Sequence, residues 1–184
     1  MKNIPFLLIL LRLSLAPIML CLSFLHIAHV GVFLFALLFV GILSDVLDGV
    51  VARKLKISTD NLRKWDSNVD VVFLLSCIGS AWILYPDLVE AKLPFILCIM
   101  GSEVLMYVVS LIRFRRLPSN HAYSSKLFAL SIFICLSTLF LRDDWGITFY
   151  IMFVLGILSY LDNILILLRL SAYKVDTKVF WQAK

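Results

Sequence analysis

Apolar residues dominate six stretches of this chain: Ile4–Leu25, Val30–Leu47, Val69–Tyr85, Leu93–Ile112, Leu127–Leu141 and Trp145–Leu168. Runs of this kind suit helices that cross a hydrocarbon core of about 30 Å. Their recurrence along the whole chain predicts an all-α, polytopic membrane protein, a bundle of six transmembrane helices. The second and third runs are bounded by aspartates, which are expected on helical extensions of those spans. Pro86 and Pro94 bracket the link between the third and fourth runs, as residues that interrupt helices should. No internal repeat and no low-complexity linker is visible, so residues 1–184 read as a single membrane domain.

Composition sharpens the membrane reading. Of 184 residues 62% are hydrophobic and only 16% are charged, too few to cover a soluble domain. The net charge of +5 does not point to nucleic acid, because the basic residues sit in the short links between apolar runs. There they suit topology and anionic headgroups. With six spans, both termini share a side that receives Lys2, Arg12, the Arg53–Lys64 loop, Arg113, Arg115, Arg116, Lys126 and the tail from Arg169. Of the 17 Lys and Arg residues only Lys92 and Arg142 fall opposite, so the positive-inside rule makes the termini cytoplasmic. Trp82, Tyr85 and Trp145 stand near expected outer edges, as belt residues do. The first run lacks a small-residue cleavage site after it and reads as a retained helix. Cys21, Cys77, Cys98 and Cys135 are scattered singly and read as small core residues, not as a zinc site or disulfide framework.

The segment from Ser44 to Val71 is different in kind. Asp45 and Asp48 are three apart, Asp66 and Asp70 four apart, so on helices each pair shares a face. One pair ends the second span and the other begins the third, on the same side of the membrane. Two adjacent helices would aim four carboxylates at one small volume. Four such groups do not all stay ionised together without positive charge between them. Hard oxygen ligands suit Mg²⁺, Mn²⁺ or Ca²⁺, and two bridged ions are an arrangement that activates phosphoryl groups. The alternative is that the aspartates solvate helix ends, but ionisable residues at membrane depth are costly and usually functional. Gly49 and Ala52 follow on nearly the same face and would open a slot for a flat ligand or a phosphate, or else serve as close helix-packing residues. Arg53, one turn beyond Gly49, would clamp a phosphate bidentately.

The order D-x-x-D-G-x-x-A-R, then eight residues, one position, three residues and D-x-x-x-D resembles the signature of the CDP-alcohol phosphotransferase (phosphatidyltransferase) family. Asp45, Asp48, Gly49, Ala52, Arg53, Asp66 and Asp70 stand at its spacing. The opening Asn3-IPFLLILLRLSLAP-Ile18 is similar to the start of phosphatidylglycerophosphate synthases. The resemblance implies a transfer from a CDP-linked donor, usually the membrane lipid CDP-diacylglycerol, to a small alcohol, phosphorylated or not, with release of CMP. It implies Asp45, Asp48 and Asp66 as metal ligands for two ions, Mg²⁺ or Mn²⁺. Asp70 would complete that site and act as base, and Gly49, Ala52 and Arg53 would hold the nucleotide and pyrophosphate. It also implies a homodimer, and we expect a bacterial plasma (inner) membrane with the active site facing the cytoplasm. The family's second glycine falls where this chain has Leu62, which would narrow the cytidine site, shift its pose or mark a different donor. The segment Asp66-Ser67-Asn68-Val69-Asp70 also departs from the D-P-x-A-D-K form of phosphatidylglycerophosphate synthases, so the acceptor is not read from the N-terminus.

A second polar cluster, with Arg113, Arg115, Arg116, His121, Ser124, Ser125 and Lys126, lies between the fourth and fifth runs. Arg113, Arg116, Ser125 and Lys126 are candidate ligands for the acceptor, set against topology and anionic lipid contact as the other reading of the arginines. Lys126 abuts an apolar run, where it binds a ligand or snorkels. Glu103 would support the basic cluster or a metal-bound water, and Asp162 with Asn163 would make interhelical hydrogen bonds. Two other functions stay in view: a headgroup transferase using a CDP-alcohol and diacylglycerol, and a divalent-cation transporter. Transporter ligands tend to lie near the bilayer midplane between repeats, whereas these aspartates cluster at one boundary.

Overall fold

A computed structural model of the protein describes residues 4–25, 27–55, 60–115 and 123–170, with side chains described except at 4, 52–55, 60–61 and 63–64. These residues form six α-helices: α1 (Ile4–Leu25), α2 (Val30–Leu55), α3 (Asp60–Leu84), α4 (Pro86–Phe114), α5 (Tyr123–Arg142) and α6 (Gly146–Arg169). No described residue lies in a strand. Every helix contains a segment long and apolar enough to cross a membrane. Their outward faces carry large apolar side chains: Phe24 is 67% exposed, Ile112 79% and Ile147 73%. Such faces are stable where hydrocarbon covers them. The chain is an all-α, multi-pass membrane protein.

The helices outrun the apolar segments. α2 continues past Leu47 to Leu55, and α3 starts at Asp60, well before Val69. Both aspartate pairs therefore ride on continuous helix, as expected. Pro86 marks the break between α3 and α4, as expected, but Pro94 does not interrupt a helix, contrary to the sequence reading. Pro86 is the first residue of α4, where its missing N–H is no loss. Pro94 lies inside α4, a site that membrane helices tolerate because local adjustments re-satisfy the freed carbonyl. Tyr85 alone joins α3 to α4: its N–H donates to Ala81 O at 2.9 Å and its carbonyl accepts from Val89 N at 3.1 Å.

The chain divides into two compact units, residues 1–89 with 136–144, and residues 90–135 with 145–184. In the first, α1 packs on both α2 and α3. Among its buried residues Pro5, Ile9, Arg12, Ala16, Met19 and Ser23 recur three or four apart and form one stripe, with Leu15 beside it. α2 answers with Gly31, Leu34, Leu38, Gly41, Ser44 and Asp48, and α3 with Val69, Phe73, Ser76 and Ser80. In the second unit, Phe95 of α4 meets Phe149 and Phe153 of α6 edge to face. Gly156 of α6 admits the Phe128 ring of α5. Polar ties join α5 to α6: Ser124 donates to Asp162 at 2.7 Å, and Asn163 Nδ2 donates to Ser125 Oγ at 3.0 Å. Cys77 and Cys135 are buried, as expected of small core residues; Cys21 and Cys98 instead lie on exposed faces, where a thiol is apolar enough to meet lipid.

Candidate metal centre

The buried stripes of α1, α2 and α3 turn polar at one end of the first unit. On α2 the stripe ends in Ser44 and Asp48, both buried. On α3 Asp66 and Asp70 precede Phe73 by seven and three residues, two turns and one turn, and so approach the same seam. On α1 the matching position is Arg12, only 1% exposed. The helical continuation through Leu55 and from Asp60 is what fixes the carboxylates against one another.

Ligand oxygens of Asp45, Asp48 and Asp66 all lie within 4.8 Å of one another. Arg12 stands among them. Its Nη1 is 3.3 Å from Asp45 Oδ1 and 3.2 Å from Asp66 Oδ1, and it also contacts Asp70 Oδ1. Its Nη2 donates to Asp48 Oδ2 at 2.5 Å, and its Nε to Ser44 Oγ at 3.5 Å. Ser44 in turn donates to the Gly41 carbonyl at 2.6 Å. All three kinds of guanidinium nitrogen therefore have a partner.

Charge counting tests whether this site suits a metal. One guanidinium faces four carboxylates, so with all four ionised three negative charges stay uncompensated among the described residues. Partly buried like charges at this spacing call for further cations or for protons. The donors are all hard carboxylate oxygens, the set that Mg²⁺, Mn²⁺ or Ca²⁺ prefers. The residues fit a divalent-metal centre held by Asp45, Asp48 and Asp66, with Asp70 joined through Arg12.

From the sequence Arg12 reads only as a topological charge. The signal was there: Arg12 is the one charged residue inside the first apolar run. Gly49 continues α2 beyond Asp48 and is partly buried. Ala52 and Arg53 lie on the α2 backbone, but their side chains are outside the described residues, as are Arg116 and His121 altogether. In the second unit Arg113 donates to the Leu170 carbonyl at 3.0 Å. Ser125 Oγ accepts from Asn163 and meets Ser159 Oγ at 3.3 Å. Lys126 is exposed, its ammonium 5.6 Å from the Tyr123 ring centre. Glu103 is hydrogen-bonded to the Tyr160 phenol.

The model of the CDP-alcohol phosphatidyltransferase family matches residues 2–169. No curated protein and no solved structure matches the chain.

Proposed function

The chain belongs to the CDP-alcohol phosphatidyltransferase family, and from that premise we propose that it moves a phosphatidyl group from CDP-diacylglycerol to a small alcohol. Membership makes it a membrane transferase of phospholipid synthesis; the donor, the acceptor and the two-metal chemistry are our reading. The observation that carries it is the convergence of Asp45, Asp48 and Asp66 within 4.8 Å, with Asp70 linked to them through Arg12.

In this reading Asp45, Asp48, Asp66 and Asp70 hold two divalent ions, Mg²⁺ or Mn²⁺. Such ions polarise phosphoryl oxygens and neutralise charge that develops on a leaving phosphate. Asp70 takes the proton of the acceptor hydroxyl. That oxygen forms a bond to the lipid-bearing phosphorus, the bond from this phosphorus to the CMP oxygen breaks, and CMP leaves with the electron pair. Gly49 and Ala52 leave room for the nucleotide and Arg53 pairs with its pyrophosphate. Arg113, Arg116, Ser125 and Lys126 bind the acceptor, the cations serving one that carries its own phosphate. Residues 1–184 act as one domain in a bacterial plasma membrane, as a homodimer, with the site and both termini cytoplasmic.

The test supplies purified protein in nanodiscs with labelled CDP-diacylglycerol and a panel of acceptors: glycerol phosphate, inositol, inositol phosphate, serine and phosphatidylglycerol. We expect CMP release that needs Mg²⁺ or Mn²⁺ and one acceptor of the panel. No metal-dependent CMP from any of them would sink the reading. Product from a CDP-amino-alcohol and diacylglycerol would replace it with headgroup transfer.

A further inference from the structure

Arg12 enters the carboxylate cluster from α1 and is almost wholly buried. Its Nη1 touches Asp45 of α2 and both Asp66 and Asp70 of α3. One nitrogen meeting three carboxylates from two helices stands where a cation bridging those carboxylates would stand. Hard divalent ions sit about 2.0–2.6 Å from their carboxylate oxygens. An ion bound by Asp45, Asp66 and Asp70 would therefore overlap Nη1. The guanidinium and the ion exclude one another from that volume.

Resting on the metal-centre reading above, we propose that Arg12 is a built-in counter-cation, which holds the four carboxylates together without metal and gives way when a divalent ion binds. It is a positioning residue that sets metal affinity. A charge kept only for topology would snorkel toward water; this one turns inward and spends every nitrogen on the cluster and on Ser44. Carboxylates gathered at this spacing would otherwise repel, and a planar fork is the side chain that spans several of them at once. It also leaves the exchange favourable, because one positive charge among four negative ones is outbid by an ion carrying two.

The test measures Mn²⁺ binding, by the paramagnetic resonance of free Mn²⁺, and thermal unfolding of the full chain in nanodiscs after EDTA treatment. Wild type, Arg12→Lys, Arg12→Gln and Asp66→Asn are compared. Arg12→Gln should bind Mn²⁺ at least about tenfold more tightly than wild type, because the competing charge is gone. Arg12→Lys should fall between them, since an ammonium keeps the charge but lacks the fork. Without metal, Arg12→Gln should unfold at a lower temperature than wild type, and Mn²⁺ should raise its unfolding temperature by more. Mn²⁺ binding unchanged or weakened in Arg12→Gln overturns the proposal. Should that variant fold only with Mn²⁺ present, the Arg12→Lys comparison decides on the same criterion. Wild type that binds no Mn²⁺, or Asp66→Asn that binds it equally well, defeats the metal-centre reading itself, an outcome distinct from failure of the exchange.

Discussion

Gly41 of α2 faces the Phe73 ring of α3 so closely that a Cβ on Gly41 would run into the ring. This contact sits just beyond the carboxylate cluster: Phe73 follows Asp70 by three residues, and Gly41 precedes Ser44 by three. It lets the two aspartate-bearing helices approach at the point where their carboxylates must meet.

A side chain at position 41 should therefore separate α2 from α3. Gly41→Leu is expected to lower stability by about 1–3 kcal/mol through overpacking. It should lower turnover further than that, since a misplacement of about 1 Å can reduce rate about a hundredfold. Pairing it with Phe73→Ala should recover part of both losses. Unfolding and CMP release, measured on the two single variants and the double, check this; a double variant no better than Gly41→Leu alone would mean the ring is not the obstacle.

Stability and metal binding should part company at Asp45. Its side chain is 47% exposed, the most open of the four, and it shares one guanidinium with three like charges. Removing that charge relieves repulsion. Asp45→Asn in EDTA is expected to be as stable as wild type or more so, within about 1 kcal/mol, while its Mn²⁺ affinity drops. Thermal unfolding and Mn²⁺ titration of the same preparation decide it, and a destabilised variant would show that the carboxylate serves the fold.

Asp70 has a different expected signature. In the proposed mechanism Asp70 is the base, which should be needed for turnover more than for ligand retention. Asp70→Asn is predicted to reduce CMP release by roughly 10²–10⁴-fold, the usual contribution of a general base, a larger factor than its loss of Mn²⁺ affinity, with donor still bound. Equal loss of turnover and of Mn²⁺ binding would make Asp70 a ligand only.

The sequence revealed the aspartates because spacings of three and four put each pair on one helical face whatever the tertiary packing. It did not reveal Arg12 as their partner. α1 is apolar nearly all round, so no polar face marks which side meets α2 and α3, and a lone arginine in an apolar span reads as a topological charge. In hindsight Arg12 falls on the stripe Pro5, Ile9, Arg12, Ala16, Met19 and Ser23, but only the packing of α1 shows that this stripe faces inward. Helix ends were blurred for a related reason. Hydropathy falls at Leu47, whereas the backbone of α2 stays helical to Leu55, because polar side chains do not by themselves break a helix. Pro94 misled for the opposite cause: a residue that stops helices in water is tolerated in an apolar span. Asn163 was legible as an interhelical donor, and its bond to Ser125 bears that out; that Ser125 would be its partner had no sequence signal.

The far end of the first unit offers a contact separated from the chemistry. Tyr85, in the link between α3 and α4, donates its phenol to Asp143 Oδ1 at 2.5 Å. It lies fifteen residues past Asp70 on a helix, about 22 Å along the axis. Burial first, and then the hydrogen bond and charge of Asp143, push the phenol well above its ordinary range. The unfolded chain would release that proton near pH 10, the folded chain only at higher pH. A group whose folded pKa is raised contributes stability in full below its unfolded pKa and loses it as pH rises beyond. Tyr85→Phe should thus cost about 1 kcal/mol at pH 8, and the advantage of wild type over it should shrink above about pH 10. Metal-dependent CMP release at pH 8 should be the same in both. Denaturant unfolding of the pair across pH 8 to 11 measures the difference directly, with every other titrating group common to both chains. A gap between them that widens with pH would mean that the phenol ionises more readily in the folded protein than free in water, and that Asp143 is not its partner.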